Sequence, residues 1–179
     1  LTNKYDFLNL INNDKNYGKG FSIRKGILYS KGELILISDA DLSTPIDEFE
    51  KLHNSYKKGY SIVIGSRNSI NSKILIKQPA HRILVGRIYN IMVKNILRLN
   101  FQDTQCGFKL FNSASIKKII KLTKSNRFGI DIELLYFAKK NDYNIAEIGI
   151  KWNNNKKTSV SLFKDSLIMF LEIFKLSLK

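Results

Sequence analysis

Cysteine is almost missing from this chain of 179 residues: Cys106 is alone, which excludes an intramolecular disulfide and a cysteine-rich zinc site and suits a reducing surrounding. Histidine is nearly as scarce, and no second histidine or cysteine stands at a ligand-like spacing from His53. No apolar run is long enough to span a bilayer, and neither a signal-peptide pattern nor an internal repeat is visible. The chain opens on Leu1-Thr2-Asn3 without an initiator methionine, so a fragment is expected. Acidic residues are few: 15 Asp and Glu face 30 Lys and Arg, and the net charge of +15 calls for anionic partners such as nucleotide phosphates, lipid headgroups or nucleic acid. The length and the 44% hydrophobic content suit one domain with a sizeable core.

What is present is an apolar run that ends in two carboxylates, Glu33-Leu34-Ile35-Leu36-Ile37-Ser38-Asp39-Ala40-Asp41. Leu34 to Ile37 read as a central parallel strand buried on both faces, with Asp39 and Asp41 at its carboxyl end. In open α/β sheets ligands bind at that edge, and two acids so close repel unless a cation lies between them. A divalent metal site is one reading. The other is that the two acids cap the following turn and helix.

Upstream, Tyr5 to Ile11 reads as a strand, and Asn12 to Gly20 as a glycine-punctuated loop feeding a helix from about Phe21 to Ser30. Such a loop lets backbone N–H groups at Gly18 and the Lys19 ammonium approach a phosphate, or it is a surface turn. Thr44-Pro45-Ile46-Asp47 reads as a helix start, with Ile46, Phe49, Leu52 and Tyr56 on one face. A strand from Tyr60 to Ile64 then delivers Gly65-Ser66-Arg67, placing an arginine at the same sheet edge as the acids, to bind a pyrophosphate or pair with Asp39 or Asp41.

Residues 68–79 are polar, and His81 to about Leu99 form a long helix in which Ile83, Leu84, Ile88, Ile91 and Met92 alternate with Arg82, Arg87, Lys94 and Arg98. That composition suits either an anionic membrane surface or a core helix with solvated basic residues. Asp103-Thr104-Gln105-Cys106-Gly107 is a polar cluster before a short apolar strand, and Cys106 reads as a packing residue. Further helices are expected from about Ser113 to Leu122 and from Asp131 to near Lys140, where Asp131 and Glu133 either favour the helix dipole or face a substrate. Ala146, Ile148, Ile150 and Trp152 alternate as one last strand. A basic loop over 153–159 and a helix from Val160 to Leu178 with Phe163, Leu167, Phe170, Leu171 and Phe174 close the chain.

Five motifs in this order carry a family resemblance: Asn16-Tyr17-Gly18-Lys19-Gly20, Asp39-Ala40-Asp41, Gly65-Ser66-Arg67, Asp103 to Phe111, and Asp131-Ile132-Glu133-Leu134-Leu135-Tyr136. The chain resembles family 2 inverting glycosyltransferases of the GT-A type, above all dolichyl-phosphate β-glucosyltransferases and bacterial polyprenyl-phosphate relatives. The resemblance implies an α/β GT-A fold, a Rossmann-like three-layer sandwich with a mostly parallel central sheet. Residues 1–152 would be the catalytic domain and 153–179 a basic loop with an amphipathic helix. Members of this family begin with a Pro-x-Tyr-Asn-Glu-like loop and a second strand ending in acids, so the chain is expected to be N-terminally truncated by about the first third of the domain. Dolichyl-phosphate mannose synthases carry Asp-Ala-Asp-Leu-Gln, whereas Ser43 stands at the glutamine position here, which favours the glucosyltransferase branch.

On the resemblance, Asp39 and Asp41 hold Mg²⁺ or Mn²⁺ against the pyrophosphate of a nucleotide sugar, with UDP-glucose favoured, and Gly18, Lys19 and Arg67 assist on the donor side. Asp41, Asp103 and Asp131 form the catalytic set, the latter two as sugar-orienting or metal-shell groups. A polyprenyl phosphate, largely ionised with a second pKa of about 6, needs no strong base. Arg82 and Arg87 are the candidates for its phosphate, and the expected location is peripheral, on the cytoplasmic side of the endoplasmic reticulum in a eukaryote or the inner membrane in a bacterium. The alternatives are another sugar or acceptor, such as mannose or a cell-surface polysaccharide, an inactive remnant, and a basic nucleic-acid-binding domain. The last is disfavoured, because no RNA-recognition, zinc or helix-turn-helix pattern accompanies the charge.

Overall fold

The computed structural model describes residues 5–154 and 162–178. Its middle layer is built from β1 (Leu34–Ile37), β2 (Ile62–Ser66), β4 (Lys109–Asn112) and β5 (Ile145–Gly149). β3 (Lys73–Ile76) and β6 (Lys151–Asn153) make a separate two-stranded sheet. The main sheet has the order β1-β4-β2-β5. β4 runs against both β1 and β2, and β5 runs parallel to β2, so three of the four strands share one direction.

Strand alternation divides the apolar residues between two faces. Ile35, Ile37, Ile62, Ile64 and Phe111 enter one core, shared with α1 (Lys19–Tyr29), α3 (Ala80–Leu97), α4 (Ser113–Ile119), α5 (Ile130–Lys140) and α6 (Leu162–Ser177). Val63, Leu110, Phe108 and Ala146 point the other way and close over Leu52 of α2 (Phe49–Lys57). The result is helices on both faces of a sheet, the three-layer arrangement that the family resemblance implies. α6 belongs to the larger core through Ile173 and Leu176, and its Phe170 ring meets Tyr89 of α3 at 5.6 Å.

Several local expectations change. Tyr5 to Ile11 form no strand; Phe7 and Leu10 are exposed, and no strand of the described residues lies alongside to accept their backbone hydrogen bonds. β1 is an edge strand among the described residues and not a central one, and Leu34 and Leu36 are only half-buried. Thr44 does not cap a helix: a short 3-10 turn, Ile46–Glu48, precedes α2, and Ile46 points to solvent. The polar stretch before α3 contains β3.

The expected single strand from 146 to 152 is two. β5 pairs with β2 as far as Gly149, after which the chain changes sheet and β6 pairs with β3. Ile150 marks the corner: its N–H donates to Ser66 O and its carbonyl accepts from Lys73 N. Of the basic loop, residues 155–159 lie outside the described residues, as do Val160 and Ser161 before α6.

Candidate active site

The acids leave the sheet where β1 ends. A turn closes from Leu42 N–H to Asp39 O at 3.1 Å, and Ser43 N–H donates to Asp41 Oδ1 at 3.0 Å, so one Asp41 oxygen is committed to shaping the loop. Leu42 holds φ at 51°, a left-handed conformation that a branched side chain rarely adopts. The Asp39 carboxylate lies directly over Gly107, where any Cβ would collide with it. Gly107 is therefore the floor of the site.

Lys19 opens α1 and reaches two acids at once. Its Nζ lies 3.0 Å from Asp39 Oδ1 and 3.1 Å from Asp131 Oδ2. Gly18, at φ 99°, and Gly20 allow this by packing α1 against the backbone of 125–127, where a side chain at either would strike carbonyl oxygens. The close approach that the glycine loop permits is thus to the chain's own backbone. On its far side Asp131 accepts from Lys109 Nζ at 2.6 Å; Lys109 is fully buried and also donates to Cys106 O. Burial pushes the Asp131 carboxyl up, but the Lys109 and Lys19 ammoniums outweigh it and hold the group below the usual carboxylate range. Burial alone would lower Lys19, yet Asp131 and Asp39 raise it above an ordinary lysine.

Arg67 and Asp103 form the second charged pair. Nε and Nη2 of the guanidinium donate to the two Asp103 oxygens at 2.6 and 2.8 Å, and the Arg67 backbone N–H adds a third bond at 2.9 Å. Burial raises Asp103, and the facing arginine more than reverses the effect. The Trp152 ring lies 5.5 Å from the guanidinium carbon, and Glu147 accepts from the N–H groups of Gln102 and Asp103, both at 2.8 Å. Cys106 is buried and its thiol is pushed up to about 11, chiefly by burial, so it stays protonated, in keeping with a packing role.

The Glycosyl transferase family 2 profile matches residues 1–120. The chain belongs to glycosyl transferase family 2. Among relatives of this family 2 chain, the dolichyl-phosphate beta-glucosyltransferase of Dictyostelium discoideum is 30% identical over 174 residues, covering 94% of this chain and 53% of that protein. The human dolichyl-phosphate beta-glucosyltransferase is 34% identical over 144 residues, covering 77% and 44%. The chain thus spans about half the length of the relatives it matches. In fold it is similar to glucosyl-3-phosphoglycerate synthase of Mycobacterium tuberculosis, with a TM-score of 0.66 at 14% identity over 89% of this chain and 55% of that one. The same enzyme with Mn²⁺, UDP-glucose and phosphoglyceric acid aligns at a TM-score of 0.61 and 16% identity, again over 89% and 55%.

Within the candidate site the structure gathers Lys19, Asp39 and Asp131 into one hydrogen-bonded group, with Asp41 on the same loop as Asp39. Arg67 with Asp103 stands beside it, joined through the loop that carries Gly107. Arg82 and Arg87 are not brought to one face. Five residues of α3 turn them about 140° apart, Arg82 half-buried and Arg87 exposed.

Lys109, Glu147 and Trp152 complete the site without having been singled out by sequence. A lysine inside the apolar run Phe108-Lys109-Leu110-Phe111 was the legible signal, because a charge buried in a strand requires an opposite one. Glu147 and Trp152 belong to the site only through tertiary contacts.

No three His, Cys, Asp or Glu side chains among the described residues converge as a closed metal cage. Two hard carboxylates with Asp39 partly open and Asp41 exposed fit instead a Mg²⁺ or Mn²⁺ that draws its remaining ligands from water and phosphate.

Proposed function

We propose that this family 2 chain carries the catalytic centre of an inverting glycosyltransferase that moves glucose from a nucleotide-diphosphate sugar to a polyprenyl phosphate at a membrane surface. The observation that carries the reading is the pair Asp39 and Asp41 after a strand end, with Lys19 joining Asp39 to Asp131 and the Arg67–Asp103 pair close enough for Asp39 to act on the arginine's charge. Relatives named dolichyl-phosphate beta-glucosyltransferase support both the sugar and the lipid.

Asp39 and Asp41 would hold Mg²⁺ or Mn²⁺, which when bound supplies positive charge to the departing diphosphate. Lys19 stands against Asp39 and can turn toward a phosphate oxygen of the donor; Gly18 fixes the start of its helix. Arg67, locked by Asp103 and backed by Trp152, presents its charge from the end of β2 without rearranging. With both oxygens of Asp131 and of Asp103 engaged by cations, neither acid is poised as a strong base; they orient the groups that face the donor. A phosphate acceptor already ionised suits such a site. Because the two arginines of α3 face different ways, the exposed Arg87 is the proposed cation for that phosphate, and Arg82 is not assigned to it.

The test is transfer of labelled sugar to a polyprenyl phosphate by the native protein, comparing UDP-glucose with GDP-mannose in Mg²⁺ or Mn²⁺. Glucosylated lipid phosphate from UDP-glucose is expected. A preference for GDP-mannose would overturn the sugar, and transfer indifferent to a chelator would overturn the metal.

A further inference from the structure

The chemistry above makes no use of α6, yet one of its side chains reaches the ground on which the site stands. The buried side of α6 is apolar: Ile173 and Leu176 enter the core, with Met169 and Phe170 packed against it. Glu172 interrupts that run. Its Oε1 accepts from Ser125 Oγ at 2.6 Å, and its carboxylate lies so close to Gly129, the residue that opens α5, that any Cβ there would collide with it. Burial and the neighbouring Glu133 push this carboxyl up, so its charge opposes the seating of the helix. A leucine at 172 would extend the apolar side without that penalty. The use of the carboxylate therefore lies in what it holds.

What it holds is the turn over 125–129. Ser125 is gripped twice, its N–H by Glu133 Oε2 at 2.7 Å and its hydroxyl by Glu172. Ser125 Oγ also accepts from the Arg127 N–H at 3.3 Å. From one side α1 leans on this turn: Phe21 N–H donates to Asn126 O at 3.2 Å, and the Arg24 guanidinium donates to Ser125 O at 3.0 Å and to Asn126 Oδ1 at 2.9 Å. Gly18 and Gly20, on either side of Lys19, press on the same backbone. From the other side α5 leaves the turn at Ile130 and carries Asp131. Lys19 and Asp131, whose side chains meet at 3.1 Å, are thus presented by two helices that rest on one turn, and α6 holds that turn through Glu172.

We propose that Glu172 is a positioning residue for the site: by holding Ser125 and the start of α5, it fixes the meeting of Lys19 with Asp131 and so the place of the Lys19 ammonium beside Asp39. The kinetic consequence rests on the reading of Lys19 as a cation for the donor phosphate. Glu172 acts through the turn, so its effect falls on the donor side of the reaction and not on the lipid acceptor. A displacement of about 1 Å at a reacting centre costs up to roughly a hundredfold in rate.

The deciding variant is Glu172→Leu, which removes the acceptor oxygens and suits the apolar side of α6. Its Tm at pH 7 should equal or exceed the parent's, while kcat/KM for the sugar donor falls about tenfold or more and KM for the acceptor stays the same. Ser125→Ala should produce the same change, and the double variant no more than either alone, because both remove one bond. Glu172→Gln keeps an oxygen for the Ser125 hydroxyl and should rescue transfer. Amide hydrogen exchange at Phe21 and Ser125 reads the same hold without turnover: it should quicken in Glu172→Leu and Ser125→Ala and return to the parent rate in Glu172→Gln. A parent protein that transfers no glucose would remove the proposed reaction, and exchange would still decide the role of Glu172. Exchange unchanged in Glu172→Leu, donor kinetics unchanged in an active protein, a loss that Glu172→Gln shares, or a loss that only follows a lowered Tm would overturn the proposal.

Discussion

Lys109 Nζ lies 2.6 Å from Asp131 Oδ1, and solvent reaches neither side chain: Lys109 is 0% and Asp131 1% exposed. The pair ties β4 to the start of α5, and through Asp131 to Lys19 on α1, so three elements meet at one carboxylate. Lys109→Met keeps the volume and removes the charge, leaving Asp131 with Lys19 alone. The expected cost is about 3–5 kcal/mol in urea unfolding, the range for stripping one partner from a buried pair. A loss below about 1 kcal/mol would show that the site is anchored elsewhere.

Acid should unfold the protein through the same groups. Asp103 and Asp131 are both held below the usual carboxylate range in the folded state, against about 3.9 when unfolded. A lowered folded pKa contributes stability that is complete above the unfolded value and is lost as pH falls through the folded one. Their contribution is therefore constant from pH 7 down to about 5 and declines below about 4. Urea midpoints measured across pH 2.5–7 should show that decline, and Asp103→Asn should make it shallower.

Glu172 of α6 works with the opposite sign. Its Oε1 accepts from Ser125 Oγ at 2.6 Å, Oε2 is buried against Gly129, and burial, reinforced by the nearby Glu133, pushes the carboxyl up despite the hydrogen bonds it accepts. A raised folded pKa contributes stability below the unfolded value that is lost as pH rises. Glu172→Gln should thus be more stable than the parent at pH 7, and the difference in Tm should close by pH 4. An equal difference at both pH values would show that ionisation plays no part in seating α6.

Leu42 offers a test of strain beside the acids. Its φ of 51° is unfavourable for leucine, and its side chain is exposed, so little apolar burial is at stake. Leu42→Gly should leave stability unchanged or raise it by up to about 1 kcal/mol, where glycine in an ordinary loop would lower it. Thermal unfolding distinguishes the two.

Much of this was legible in the residues, and the failures share a cause. Asp39, Asp41, Lys19, Arg67 and Asp131 sit at or just past element ends and Asp103 in the polar connection before β4, where local patterning changes between apolar and polar, and that change can be read along the chain. Pairing cannot. Arg67 was open to Asp39 or Asp41 as a partner, and the structure gives it Asp103, 36 residues away. Strand alternation from Ala146 to Trp152 is continuous, so nothing local signals the change of sheet at Ile150 that places Trp152 under Arg67. Tyr5 to Ile11 has a strand's composition, yet a strand exists only beside a neighbour that shares its hydrogen bonds.

The charge of Asp41 can be separated from its structural bond. Asp41 Oδ1 accepts from Ser43 N–H, and the side chain is otherwise exposed. An asparagine places a carbonyl oxygen at the same position, so Asp41→Asn keeps the turn and removes one negative charge. If the carboxylate serves only the turn, the variant should be indistinguishable from the parent. If it holds a divalent cation, Mn²⁺ affinity followed by electron paramagnetic resonance should fall, and sugar transfer should drop about a hundredfold or more, the equivalent of roughly 3 kcal/mol of charge stabilisation. Asp41→Ala gives the complement, because it loses both functions and should also lower Tm. Metal-dependent transfer retained by Asp41→Asn would remove Asp41 from the metal site and leave it as the residue that closes the loop after β1.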